Sequence, residues 1–418
     1  MSRSVIHHAT VAGGMKVAIE PSASAQVASI VWLLPVGSAG DPLGEAGAGE
    51  ASVLHDVILR GAGDLRSRPF SDALDRLGVQ RATSTSAYHI SITAVCLGDA
   101  LEETLGLLAM MVTAPRIEED SFEASRDLAL QSLRSLRDDP HHFVTIKAAE
   151  RALPAPFNTS GHGSEEGLAA LSASRLRQTW TRRSRPTGSL LALAGCVDPV
   201  RVITKLERAL EHWRGASEEP QVTASSVRGV VAESMPSSQT NMMLIHDAPR
   251  DADPASLPHR LGVRLLGGEG MSNRLFTEVR EKRGLCYSVG MAYSAGRDRG
   301  IMQAYAASTP DRAQLTLSCM RAEIAKMAQG VTGEEFARGL VGFKSALVMN
   351  GESTHARAGA LAGDLFRLGR GRGLDEKVAE VDRLTLRALN DHLALAFGES
   401  ALKNETLAVV GPASVVLA

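Results

Sequence analysis

No two cysteines in this sequence lie close enough together to grip a metal. The four, Cys96, Cys196, Cys286 and Cys319, are widely spaced and form no C-x-x-C. That excludes a cysteine-based zinc knot and predicts four separate small core residues in a reducing compartment. Aromatic residues make up only 4% of the chain, too few for a protein that reads bases by stacking. Charge of one sign is also missing: 45 Lys and Arg face 47 Asp and Glu, a net charge of −2. The Arg residues are dispersed, so no basic field invites nucleic acid. The longest early apolar run, residues 27–36, contains Pro35 and is too short to span a bilayer. Residues 1–14 lack the apolar centre of a secretory signal. These absences predict a cytoplasmic protein with no membrane or nucleic-acid partner.

What is present is ordinary globular chemistry. Hydrophobic residues at 44% and charged residues at 22% exclude a disordered or collagen-like chain. A length of 418 residues leaves room for two or three domains.

Strands are expected at residues 15–20, 28–34 and 89–95, from β-rich or alternating patterns. Helices are expected from Glu50, where Ala51, Leu54 and Ile58 share a face and Gly61 stops the run, and at 70–77, 100–112 and 119–137. Residues 41–49 are glycine-rich and read as a loop. A strand at 189–194 and a helix at 198–213, with Pro199 early in it, close the first half. Residues 215–226 have no apolar periodicity and read as the core of a linker at 215–228. The pattern then restarts, with strands at 242–245, 300–306 and 407–410 and helices at 257–266, 272–282, 311–328 and 333–349. The two halves, 1–214 and 229–418, share one rhythm of strand, helix, strand and long helix. Strands mixed with long helices favour α+β halves over a doubly wound sheet.

Particular residues carry a family resemblance. Residues 265–289, LLGGEGMSNRLFTEVREKRGLCYSV, closely resemble the C-terminal half of M16 metallopeptidases, the pitrilysin, insulinase and mitochondrial processing peptidase family. Collinear landmarks stand in the first half: LPVGSAGD at 34–41, FSDALDRLGV at 70–79, Arg137-Asp-Asp-Pro140, and Arg185-Pro186 before residues 190–199. The length resembles the short bacterial branch. The resemblance implies two M16-type α/β-sandwich domains, each a mainly antiparallel sheet packed with helices. It implies chains that pair, their halves enclosing a chamber where an unfolded peptide adds as a strand to a sheet edge. Residues 82–88, ATSTSAY, resemble that receiving edge.

Active members of the family carry H-x-x-E-H on the helix after the glycine-rich loop. Two His one turn apart bind zinc from one helix face, and the Glu serves as general base on the bound water. Here Ser52 and Asp56 stand at the two His positions and His55 at the Glu position. The third ligand, expected on the 119–137 helix, falls on Ser132 of Asp127-Leu-Ala-Leu-Gln-Ser132. Two hydroxyls in place of an imidazole and a carboxylate remove most of the donor strength zinc needs. Asp56 and His55 are adjacent, so they point roughly 100° apart. No zinc is therefore expected in this chain. Ser52, His55 and Asp56 have the residue types of a hydrolytic triad. Asp56 sits beside His55 and cannot orient its far nitrogen, and no oxyanion loop is evident.

The family's second half carries an Arg and a Tyr in R-x6-Y, which hold the substrate and the reaction's oxyanion. Here they are Arg280 and Tyr287, with Arg283 as an alternative cation. Spacing alone equally suits a surface Arg280 paired with Glu278 or Glu281. The resemblance implies a non-catalytic, substrate-binding subunit that supplies Arg280 and Tyr287 to a partner's H-x-x-E-H site, with zinc in the partner. Two alternatives are an inactive peptide-binding or scaffold homodimer and a metallopeptidase with a rearranged site. Other motifs carry less. His7-His8 reads as a surface pair, and His141-His142 as a helix cap or surface pair. Residues 267–270, GGEG, lack the G-K-[ST] of a phosphate loop, and Asn158-Thr-Ser160 is a glycosylation sequon without meaning inside a cell.

Overall fold

A computed structural model describes residues 5–42 and 48–412. Most of the glycine-rich loop expected at 41–49 lies outside the described residues. The chain forms two compact units. The first draws on the segment up to Ser135, Thr159–Thr223 and Val348–Glu376; the second draws on Leu136–Asn158, Ala224–Leu347 and the segment from Lys377 onward. The main crossing, Thr223 to Ala224, falls within residues 215–228. The two shorter excursions, Leu136–Asn158 and Val348–Glu376, have no boundary signal in the sequence.

The first unit is built on six strands: β1 (His7–Val11), β2 (Met15–Pro21), β3 (Val27–Leu34), β6 (Gln80–Thr85), β7 (Ile90–Leu97) and β8 (Leu190–Gly195). Between β3 and β6 a small hairpin pairs β4 (Gly61–Ala62) with β5 (Leu65–Arg66). The sheet runs β1-β2-β8-β3-β7-β6, all antiparallel except β2 against β8. β3 shows why its sequence is apolar throughout. Ala28, Ile30, Trp32 and Leu34 enter the main core with Val53, Leu54, Leu105 and Phe122. Val31 and Leu33 face the opposite way, onto Ala358, Leu361 and Leu365 of the Thr354–Leu368 helix. A strand covered on both faces cannot alternate with polar residues.

The second unit holds β9 (Gly229–Ser234), β10 (Thr240–Ala248), β11 (Ser288–Ala295), β12 (Gly300–Ser308) and β13 (Thr406–Gly411), in the order β11-β12-β10-β13-β9. Only β13 against β9 is parallel. This order repeats β6-β7-β3-β8-β2 strand for strand, including the one parallel pair. Duplication is therefore explicit in the topology. Its β10 is likewise covered twice. Met242 and Leu244 face Leu261, Leu265 and Leu389, while Met243 and Ile245 face Val144, Ala148 and Ala152 of the Pro140–Ala152 helix. Each excursion of the chain thus supplies the helix over the second face of one sheet.

Helix starts follow their sequence signals. Asp198 accepts from Val200 N and Arg201 N ahead of Pro199, and Asp139 accepts from His142 N ahead of Pro140. Three cysteines are buried, but Cys196 is exposed, so the expectation of four core cysteines fails at one. It lies just after β8, where the chain leaves the sheet. Among the described residues no helix is long and apolar enough to cross a membrane.

Candidate functional site

The helix that would carry a metal, Glu50–Val57, is held at its start by buried charge. Gly49 caps it at φ 111°, a left-handed conformation that suits glycine. Asp41 Oδ2 accepts from Gly49 N at 3.3 Å and Ala51 N at 3.2 Å, while Arg183 Nη1 donates to Asp41 Oδ1 at 3.0 Å. Burial pushes the Asp41 carboxyl up to about 6, against the pull of Arg183. Glu50 is 1% exposed and accepts from Arg175 Nε at 2.7 Å and Thr179 Oγ1 at 2.8 Å. Two buried carboxylates with cationic and hydroxyl partners therefore fix this helix. Sequence reading missed both, since their partners come from a distant helix.

Ser52 is buried on this helix. His55 Nδ1 lies 3.4 Å from Thr83 Oγ1 on β6. Burial lowers the imidazole pKa from its usual value, with Asp56 pulling the other way. Asp56 Oδ2 accepts from Arg60 Nε at 2.7 Å and from Ser125 Oγ at 2.6 Å. The structure thus brings His55 to Thr83 and Asp56 to Arg60 and Ser125. It makes no Ser52–His55 hydrogen bond among the described residues, so no triad is assembled.

The helix expected to supply the third ligand is Glu119–Ser135. Its side chain at Asp56 is Ser125. Ser132 lies two turns further along, half-buried. The structure thus brings Ser125, and not Ser132, to Asp56.

These residues do not fit zinc. Among the described residues no group of three or more His, Cys, Asp or Glu is gathered for a metal. The Asp56 carboxylate already carries a guanidinium and a hydroxyl. Arg60 supplies the positive charge that a metal would bring.

In the second unit, Arg280 lies on a short π-helix, Phe276–Glu281. An α-helix was expected over 272–282. The winding changes where Lys282 N donates to Thr277 O, five residues back. Asn273 fixes its start: Nδ2 donates to Gly268 O and Gly270 O, and Oδ1 accepts from Phe276 N, each at 2.8 Å. The GGEG turn is thereby tied to this helix. Arg280 Cζ lies 4.9 Å from the centres of both the Phe276 and Tyr287 rings, a cation–π contact on two rings. Tyr287 is 76% exposed and immediately precedes β11, an edge strand. Glu278 pairs instead with Lys282 at 2.6 Å and Arg283 at 2.8 Å. Among the described residues Arg280 has no carboxylate partner, so the expected alternative of a Glu278 or Glu281 ion pair is not formed.

The remaining motifs are structural. His141 packs edge-on to Tyr305, with ring centres 4.2 Å apart. His8 Nε2 accepts from Gly371 N at 2.9 Å.

The two units thus carry duplicated sheets, the first with the Glu50–Val57 helix and the second with the Arg280-bearing helix. Residues 16–155 match the family described as insulinase (peptidase family M16), and residues 170–340 match the peptidase M16 inactive domain. The chain belongs to the M16 peptidase family. An uncharacterized zinc protease of Mycobacterium leprae is 26% identical over 421 residues, covering 96% of this chain and 91% of the relative. Another, from Streptomyces coelicolor, is 26% identical over 423 residues, covering 97% and 90%. In fold, the chain resembles the crystal structure of a peptidase M16 inactive domain from Pseudomonas fluorescens. The TM-score is 0.87 at 19% identity, over 99% of both chains. A protease from Helicobacter pylori gives a TM-score of 0.87 at 18% identity, over 98% of this chain and 100% of that one.

Proposed function

We propose that this chain is the metal-free, substrate-binding subunit of an M16-type zinc peptidase. It lends Arg280 and Tyr287 to the H-x-x-E-H site of a partner chain, which carries the zinc. One observation carries this reading: the Arg60 and Ser125 contacts occupy the Asp56 carboxylate, while the half-buried Arg280 stacks on the exposed Tyr287 with no carboxylate partner among the described residues. A guanidinium held between two rings presents its N–H groups in a fixed plane and suits a peptide carbonyl or carboxylate. A Tyr hydroxyl donates to a tetrahedral oxyanion formed at the partner's metal. The substrate class is an unfolded peptide, taken in extended form.

The test is cleavage of an unfolded peptide by this chain combined with an H-x-x-E-H partner. Arg280→Ala with Tyr287→Phe lowers kcat/KM by about a hundredfold, the scale of a lost oxyanion donor. Unchanged activity of that pair overturns the reading. So does near-stoichiometric zinc on this chain alone, after exposure to zinc and desalting.

A further inference from the structure

β11 ends the second sheet as β6 ends the first, since the two strands hold the same place in the duplicated order. Its eight residues, SVGMAYSA, include no charge and no proline. Such residues are what edge strands normally use to refuse a further strand. Among the described residues its backbone pairs only with β12, so one row of N–H and C=O groups is left for a new strand. Small side chains, Ser288, Ala292 and Ser294, stand exposed along it. At its first end stands the stack of Tyr287 on Arg280. Lys282 and Arg283 are both spent on Glu278; Arg280 is not. A planar cation with free donors at the head of an open strand suits a carboxylate ending an extended chain.

We propose that β11 is a second peptide-receiving edge. It takes an extended peptide antiparallel to itself, with the peptide's C-terminal carboxylate on Arg280 and its last side chain against Tyr287. This rests on the assignment of Arg280 and Tyr287 to substrate, and it adds the strand they serve and the end of the peptide they read.

The experiment uses the full chain alone and a fluorescein-labelled peptide of about eight residues, alternating threonine and valine, followed by fluorescence anisotropy. An added strand bonds through alternate residues only. Of two peptides N-methylated at odd or at even positions, one loses binding and the other keeps it. Replacing the C-terminal carboxylate by an amide weakens binding about tenfold or more, the scale of a lost charge-assisted hydrogen bond. Arg280→Gln weakens the acid by a similar factor and leaves the amide unchanged. Equal binding of both N-methylated peptides, or of acid and amide, overturns the proposal. So does a chain that dimerises through this edge and excludes the peptide, because the occupant is then a second copy. The readout needs no partner and no cleavage. Failure here with Arg280-dependent cleavage intact removes the edge and leaves the subunit role standing.

Discussion

Arg60 donates to Asp56 across one helical turn at 2.7 Å. Ser125 closes the same carboxylate oxygen from the facing helix. A fixed guanidinium and a fixed hydroxyl leave no vacancy for a dication, and Arg60 would repel one.

Restoring zinc therefore takes more than the motif. Ser52→His, His55→Glu, Asp56→His and Ser125→Glu, combined with Arg60→Ala, are expected to bring bound zinc close to one per chain. The same set with Arg60 retained, or with Ser132→Glu replacing Ser125→Glu, is expected to hold much less. Elemental analysis after desalting checks this. Equal zinc for the Ser125 and Ser132 versions would show that Ser125 does not mark the third position.

The second unit is expected to lose stability on acidification. His259 is 1% exposed, and burial with His392 and Arg260 nearby lowers its pKa to about 3. The unfolded chain binds a proton near pH 6.5 that the folded chain refuses until about pH 3. Stability from this group is thus complete above pH 6.5 and falls as pH drops towards 3, by up to about 1.4 kcal/mol per pH unit. Glu335, lowered to about 2 by its Arg274 hydrogen bond, adds a loss of the same sign below pH 4.5. Denaturant unfolding at pH 7 and pH 5 measures the slope. His259→Gln is expected to flatten it, and an unchanged slope would remove His259 as its cause.

The Thr354–Leu368 helix is anchored to the first sheet by a buried ion pair. Arg357 donates Nε to Glu20 Oε2 at 2.9 Å, with side chains 11% and 8% exposed. Arg357→Ala strands a buried carboxylate and is expected to cost about 3–5 kcal/mol. Replacing both partners, Arg357→Met with Glu20→Gln, is expected to cost less than the single change. Chemical denaturation of the three proteins decides it; a double variant weaker than the single would contradict the stranded-charge account.

Thiol labelling should separate the cysteines. Cys96, Cys286 and Cys319 are buried with thiol pKa values raised by burial, Cys286 to about 11. Cys196 is exposed. In the folded protein at pH 8 a thiol reagent is expected to react quickly once per chain, and Cys196→Ser abolishes that phase. Rapid reaction at two or more sites would mean that the burial is not maintained in solution.

Much of this architecture is legible in the residues. Apolar runs marked β2, β3, β8, β10 and β13, alternation marked β7 and β12, and helical periodicity marked most long helices, because buried faces are written directly in sequence. Quieter elements escaped. β1, β9 and β11 lie near or at the sheet edges, where one side faces solvent and polar residues blur the period. The Thr354–Leu368 helix carries small apolar residues, Ala358 and Ala362, which signal packing weakly. At the candidate site, Ser52, His55, Asp56, Arg280 and Tyr287 came from the family resemblance. Arg60, Ser125, Asp41 and Glu50 came only from contacts.

The sequence by itself determined the family and the α+β mixing of strand and helix, since residue type and short-range spacing carry those directly. Tertiary structure alone decided which side chains meet Asp56, that Arg280 contacts two rings and no carboxylate among the described residues, and that β11 is an edge strand. The Ser125 contact and the strand order join residues tens of positions apart, and no local pattern encodes which face of one helix meets another.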